Sequence, residues 1–302
     1  MITTNGSNCW NRIRLTGPSK DSFAAREGRL KIKFWGVRGS IPTPGAATAR
    51  VGGNTSCVEV RAGGQLLIFE MGTGARALGG SLLKQLPITA HVFLSHMHHD
   101  HTQGLPFFVP CFIPGNTLFF YGADKGGLTL EAQLNQLFDY PYFPVPLKNM
   151  PANMEFVSLR EGQRVKLTPD LVVSNRRVNH PDEAFGYRVE CVEDGVKKVF
   201  AFCTDTEHYS VPDWKVKDLA KDADVFVYDG QYTDEEYPSK VGWGHSTPTE
   251  GVKLVRECGA KRLILFHHDP THSDDKVFEM EAQAKALFPG AQAAVEGLEI
   301  EI

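Results

Sequence analysis

Five of the chain's 11 histidines fall between His91 and His101, and two more stand side by side at His267 and His268. The first group follows Ala90–Ser95, an apolar run that reads as a buried strand. A strand that continues into His96-Met97-His98-His99-Asp100-His101 must deliver imidazoles to one place. Alternate strand residues share a face, so His96 and His98 present together. Asp100 and His101 reach a neighbouring point as the chain turns into a helix. Three imidazoles and a carboxylate form a nitrogen and oxygen donor set suited to Zn²⁺, with Mn²⁺ or Fe²⁺ as competitors. The fold must therefore gather strand ends around a metal site.

The remaining pattern supplies those strands. Residues 1–28 are polar and aperiodic and read as an extension, with one domain expected over residues 29–302. Strand signals recur near Leu30–Val37, Ser56–Arg61, Gln65–Phe69, Thr117–Tyr121, Arg164–Leu167, Leu171–Val178, Gly186–Val192, Val196–Cys203, Val225–Tyr228, Arg262–Phe266 and Leu298–Ile302. Helical spacing marks Leu128–Phe138, Pro248–Cys258 and Asp275–Leu287. Hairpin turns at Gly63-Gly64 and Asp194-Gly195 count against a doubly wound parallel sheet. They favour two sheets packed face to face with helices outside. Tyr140–Pro146 carries three prolines and cannot be regular helix or central strand. Its aromatics suit packing near a site mouth, with stacking on a nucleobase as the alternative.

Composition narrows the function classes. The apolar runs are too short to span a bilayer, and no leader pattern opens the chain. Six scattered cysteines without a CxxC pair read as reduced, buried thiols, which points to the cytoplasm. With 32 basic and 36 acidic residues, the net charge is −4, so a grip on nucleic acid through bulk charge is not expected.

His96-x-His98-x-Asp100-His101 resembles the signature of the metallo-β-lactamase-fold hydrolases, and further marks of that family recur in order from about Leu30. Glu70-Met71-Gly72-Thr73-Gly74 stands where the family has Asp-x-Gly-x-Gly, with glutamate in place of aspartate. The resemblance implies an α/β (α+β) fold, a four-layer αββα sandwich. It also implies two divalent metal ions. His96, His98 and His180 would hold one; Asp100, His101 and His267 would hold the second, with Asp205 and a hydroxide between them. His267 is favoured over its neighbour His268 from its place at a strand end. Two adjacent dications lower the pKa of a shared water and clamp attacking and leaving oxygens. His99 is expected to point away. His91 and His208 read as surface residues. Asp269, His272 and Asp274 read either as partners of ligating imidazoles or as a solvated loop, and Arg38 either as a phosphate contact or as one half of an ion pair.

Gly244-His245-Ser246-Thr247 stands before the helix Pro248–Cys258, and Asp229 ends the strand before it. Ser246 or Thr247 can cap that helix; His245 has no such structural task. This block is similar to the phosphodiesterase branch of the family, which includes the tRNA 3′-processing endonucleases. There an acid-supported histidine protonates the leaving alkoxide, so the catalytic set implied here is His245, Asp229 and Asp100. A carboxylate-supported imidazole titrating near neutrality suits that task. The long basic arm of the endonucleases is missing from the sequence. The expectation is a phosphodiesterase acting on a small molecule such as a cyclic nucleotide, without a membrane or bulk nucleic-acid partner and with homodimerisation left open. An acyl hydrolase (lactone, thioester or β-lactam) is the second reading, and an iron-holding sensor module the third.

Overall fold

A computed structural model describes residues 29–302; the expected extension over 1–28 lies outside the described residues. The first half of the chain builds β1 (Lys31–Gly36), β2 (Cys57–Ala62), β3 (Gln65–Phe69), β4 (Thr89–Phe93), β5 (Thr117–Ala123) and β6 (Asn153–Leu159). The second half builds β7 (Arg164–Thr168), β8 (Leu171–Arg177), β9 (Phe185–Glu193), β10 (Val196–Cys203), β11 (Val225–Asp229), β12 (Leu263–Phe266), β13 (Ala291–Ala293) and β14 (Glu299–Glu301). They form two seven-stranded sheets, β14-β1-β2-β3-β4-β5-β6 and β13-β12-β11-β10-β9-β8-β7. The last strand crosses back to pair antiparallel with β1, Ile32 opposite Ile300.

Each sheet is apolar on both faces, so each must be covered twice. Between the sheets lies a layer rich in aromatics, centred on Phe69. Its ring lies 5.4 Å from Phe93, 5.4 Å from Phe202, 5.6 Å from Phe200 and 5.8 Å from Tyr187. Such ring pairs add about 0.5–1.5 kcal/mol each beyond area burial. The outer face of the first sheet is covered by α1 (Gly74–Leu82) and α3 (Leu130–Gln136), which follows the short α2 (His99–Thr102). The outer face of the second is covered by α4 (Trp214–Ala220), α5 (Pro248–Cys258) and α6 (Asp274–Leu287). Thr247 caps α5 and Gly259 closes it at φ 73°, so its observed ends coincide with those expected. The αββα layering expected from the resemblance is the observed architecture.

Topology places the site. In the first sheet β3, β4 and β5 run parallel, so Glu70 and Ser95 leave the sheet at the same edge. In the second, β10, β11 and β12 are parallel, and Asp205, Asp229 and His267 stand at or just past their ends. Carboxyl ends of parallel strands are the usual place for a ligand site in such sheets. Glu70 (φ 67°), Asp205 (φ 52°) and His267 (φ 61°) adopt the left-handed backbone region. Each such turn costs non-glycine residues about 1 kcal/mol, a strain that concentrates at functional sites.

Several expectations need correction. His91 is buried, not at the surface: its ring stacks on Phe119, and Nδ1 lies 3.1 Å from the Tyr121 hydroxyl. His208 is half-buried, against Tyr237 and Ser246. His91 sits on β4 and His208 in the loop after β10, and the local sequence reveals the inward turn of neither. Strand β6, helix α4 and the short β13 were not expected. Arg38 has no exposed surface and donates to the carbonyls of Gly52, Asp269 and His272, which makes it a structural strut and leaves no room for a phosphate. His272 turns to Glu236 and Asp274 caps the backbone of Arg50 and Val51, so neither supports an imidazole of the cluster.

Candidate metal centre

Seven side chains drawn from separate stretches meet at the strand ends. Ligand atoms of His96, His98, His180 and Asp205 lie within 4.8 Å of one another, as do those of Asp100, His101, Asp205 and His267. Asp205 belongs to both groups. Its Oδ2 lies 3.7 Å from His96 Nε2, 3.9 Å from His180 Nε2 and 3.2 Å from His101 Nε2, and its Oδ1 lies 3.3 Å from His267 Nε2. Asp100 Oδ2 stands 3.2 Å from His101 Nε2 and 3.0 Å from His267 Nε2, and it accepts the Ser40 backbone N–H. His98 keeps about half of its side chain exposed, whereas the other six residues are buried. His99 is exposed.

Neighbouring groups fix how the rings face. Glu70 is fully buried; its carboxylate accepts the Ser95 N–H and lies 3.3 Å from His101 Nδ1, so glutamate does reach the ring it must support. Ser95 Oγ is 2.9 Å from His96 Nδ1. Gln231, which the sequence reading missed, accepts from His267 Nδ1 at 2.8 Å while its amide donates to Tyr232. Its position two residues past the strand-ending Asp229 was the one available signal. His268 turns the other way and bonds the Ala294 carbonyl at 2.9 Å. The backbone of Gly244, at φ +89°, passes so close to His180 that a Cβ there would sit 2.3 Å from its ring.

The donor set fits divalent cations. With Nδ1–H given to Gln231, a neutral His267 aims the Nε2 lone pair at the lone pairs of Asp100 and Asp205, an arrangement that needs a cation or proton between them. His96 Nε2 and His101 Nε2 are buried without hydrogen-bond partners. The charged contacts of Asp100 and Asp205 are with imidazoles. Burial works against charge on Asp205, but His101 and then His267 outweigh it and hold the carboxyl well below the usual range. Burial, then the His101 charge, pushes His96 well below an ordinary imidazole, leaving a lone pair for a metal.

Beside this cluster, His245 Nδ1 lies 2.8 Å from Asp229 Oδ2, and the His245 ring stacks 4.9 Å from His267. Asp229 Oδ1 also accepts the backbone N–H groups of Gln231 and Ser246, which locks the carboxylate. Burial disfavours protonation of His245, yet Asp229 in contact, with Asp205 and Asp100 behind, pushes its pKa up to about 9.

A family model described as a beta-lactamase superfamily domain matches residues 69–268, a span that opens one residue before Glu70 and includes every member of the cluster. The chain belongs to this superfamily. It is a metal-dependent hydrolase of the metallo-β-lactamase fold, and membership carries divalent metal binding. Ribonuclease Z of Bacillus licheniformis is 26% identical over 261 residues, which cover 70% of this chain and 80% of that protein. The metallo-beta-lactamase fold protein YhfI from Bacillus subtilis superposes with a TM-score of 0.68 at 20% identity, covering 91% of this chain and 100% of that one. Human tRNase Z, short form, gives 0.62 at 19% identity, covering 89% and 98%. These relatives overturn the expected partner, a small-molecule phosphodiester without nucleic acid. Ribonuclease Z and tRNase Z carry RNA in their names. The expectation rested on net charge, which averages over the whole chain and is blind to where individual lysines and aromatics stand. Among the described residues no helix is long and apolar enough to cross a membrane.

Proposed function

We propose that the protein is a phosphodiesterase that cleaves an RNA phosphodiester at a centre of two divalent metal ions. His96, His98 and His180 would hold one ion, Asp100, His101 and His267 the other, with Asp205 shared. The nitrogen and oxygen donors favour Zn²⁺. Bound there, the ions would supply Lewis acidity and an activated water.

The chain's own residues supply the rest. His245, carrying a proton on the nitrogen remote from Asp229, hands it to the departing alkoxide. Asp229 holds the ring in place and stabilises its charged form. Expelling an alkoxide unprotonated is slow, and such a general acid contributes about 10²–10⁴-fold. The Ser40 N–H fixes Asp100, and Gly39 beside it packs against the His267 ring. The observation that carries the reading is the 2.8 Å His245–Asp229 contact beside the cluster, a pair that acyl hydrolysis has no need of. The names of the relatives support RNA as substrate class. The five cysteines among the described residues are buried and free, which suits a cytoplasmic setting.

The test is turnover by the metal-loaded protein of a ribodinucleotide, a lactone and a thioester. The dinucleotide alone should be cleaved, and His245→Ala should slow it by at least about a hundredfold. Cleavage of the lactone or thioester in preference to the dinucleotide would contradict the assignment.

A further inference from the structure

Four residues after the short turn Tyr237–Ser239, and two before His245, the chain displays Trp243 with 58% of its surface exposed. Trp214, Tyr140 and Tyr142 are more exposed still, so what singles out Trp243 is its place two residues before His245 and the way it is held. The display is rigid. Glu207 accepts the backbone N–H of Gly242 at 2.8 Å and that of Gly244 at 3.0 Å, the two residues flanking Trp243, and takes the Tyr237 hydroxyl at 2.8 Å. One carboxylate therefore clamps the backbone on both sides of the indole. Glu207 follows Asp205 by two residues, so the same segment anchors both the cluster and this loop.

Lys240 lies over the indole, its ammonium 4.3 Å from the ring centroid and 5.7 Å from that of Tyr232. Tyr232 in turn lies 5.9 Å from the His245 ring. Among the described residues Lys240 forms no ion pair, so its charge is free to meet an anion. The opposite face of the indole meets no other aromatic ring among the described residues. An open aromatic face beside an uncommitted cation, next to the residue that protonates the leaving group, matches a nucleotide: base for the ring, phosphate for the ammonium.

We propose that Trp243 and Lys240 form a nucleotide subsite on the leaving-group side of the scissile bond, the indole stacking on the base and the ammonium meeting a phosphate. The side follows from His245, which must stand next to the departing oxygen; in this respect the subsite rests on the phosphodiesterase reading above. Substrate preference on that side is then for nucleosides over plain alcohols, with little choice among bases, because every base offers a π face.

The test uses the full metal-loaded chain and calorimetric binding of a phosphorothioate ribodinucleotide, compared with an analogue whose leaving-side ribose lacks its base. Wild type should favour the complete dinucleotide by about tenfold, the value expected for one stacked base. Trp243→Ala should erase that preference, Trp243→Phe should retain most of it, and Lys240→Met should weaken both ligands alike while flattening the salt dependence. A Trp243→Ala protein that keeps the tenfold preference overturns the subsite. So does equal weakening of both ligands by Trp243→Ala and Trp243→Phe, which would mark a structural role for the loop, or a wild type indifferent to the base. Cleavage of the ordinary dinucleotide is followed in parallel: base preference without turnover would uphold the subsite and sink the phosphodiesterase reading alone.

Discussion

Replacing Asp229 with asparagine keeps an oxygen acceptor for His245 Nδ1 but removes the charge that stands 2.8 Å away. Asp229 is the first of the groups that raise His245 against the effect of burial; Asp205 and Asp100 follow, and both would be neutralised as metal ligands. The rise from an ordinary 6.5 up to about 9 corresponds to about 3 kcal/mol of preference for the imidazolium. With most of that removed, burial dominates and the protonated fraction at pH 8 falls by about one to two orders of magnitude. A general acid works only while protonated, so activity is lost as pH rises through its pKa. The assay is kcat against pH for metal-replete protein, on a ribodinucleotide and on bis(p-nitrophenyl) phosphate, whose leaving group departs without a proton. Asp229→Asn should move the alkaline limb to lower pH on the dinucleotide and cost about 10–100-fold at pH 8, with the nitrophenyl ester changed by no more than a few fold. An unmoved limb, or equal losses on both substrates, would refute the role given to the pair.

Three further outcomes follow from the same geometry. Gly244→Ala combines a positive φ with a Cβ 2.3 Å from the His180 ring; metal affinity at the His96, His98 and His180 group should fall, read by elemental analysis after dialysis, while the second group keeps its ion. Gln231→Ala frees the His267 ring and should weaken the second metal about 10–100-fold, measured by competition with a chelator. His91 is pushed down to about 4 by burial, so its unfolded form binds the proton preferentially between pH 6.5 and 4. Stability is therefore lost as pH falls across that window, by up to about 3 kcal/mol, and His91→Phe should show a correspondingly shallower loss in urea titrations at pH 7 and pH 4.

Much of this was legible because the site is built from strand ends. The apolar run before His96 announced the strand, although the strand ends at Phe93, so His96 and His98 stand in the loop beyond it and strand alternation does not set their direction. His245 stood out because the capping of α5 needed Thr247 and not a histidine. The seven candidate ligands named from the sequence converge in space, and so does the His245–Asp229 pair. What stayed hidden depends on contacts between distant segments. Gln231 and Glu207 look like ordinary polar loop residues, and only the folded chain brings one to His267 and the other to the backbone around Trp243. Strand β6 pairs only on one side and alternates weakly, so its period was lost in the surrounding loop. The burial of His91 follows from packing between β4 and β5, with Phe119 and Tyr121 contributed by the second strand. Charge misled most, since a total of −4 says nothing about a single uncommitted Lys240 beside an open indole.

The central claim is that Asp205 joins two cations, and anomalous X-ray diffraction from crystals of the zinc-loaded protein tests it most directly. Two strong peaks should appear, one among His96, His98 and His180 and one among Asp100, His101 and His267, each within coordination reach of an Asp205 oxygen. A single peak, or peaks that leave Asp205 without a metal contact, would contradict the account.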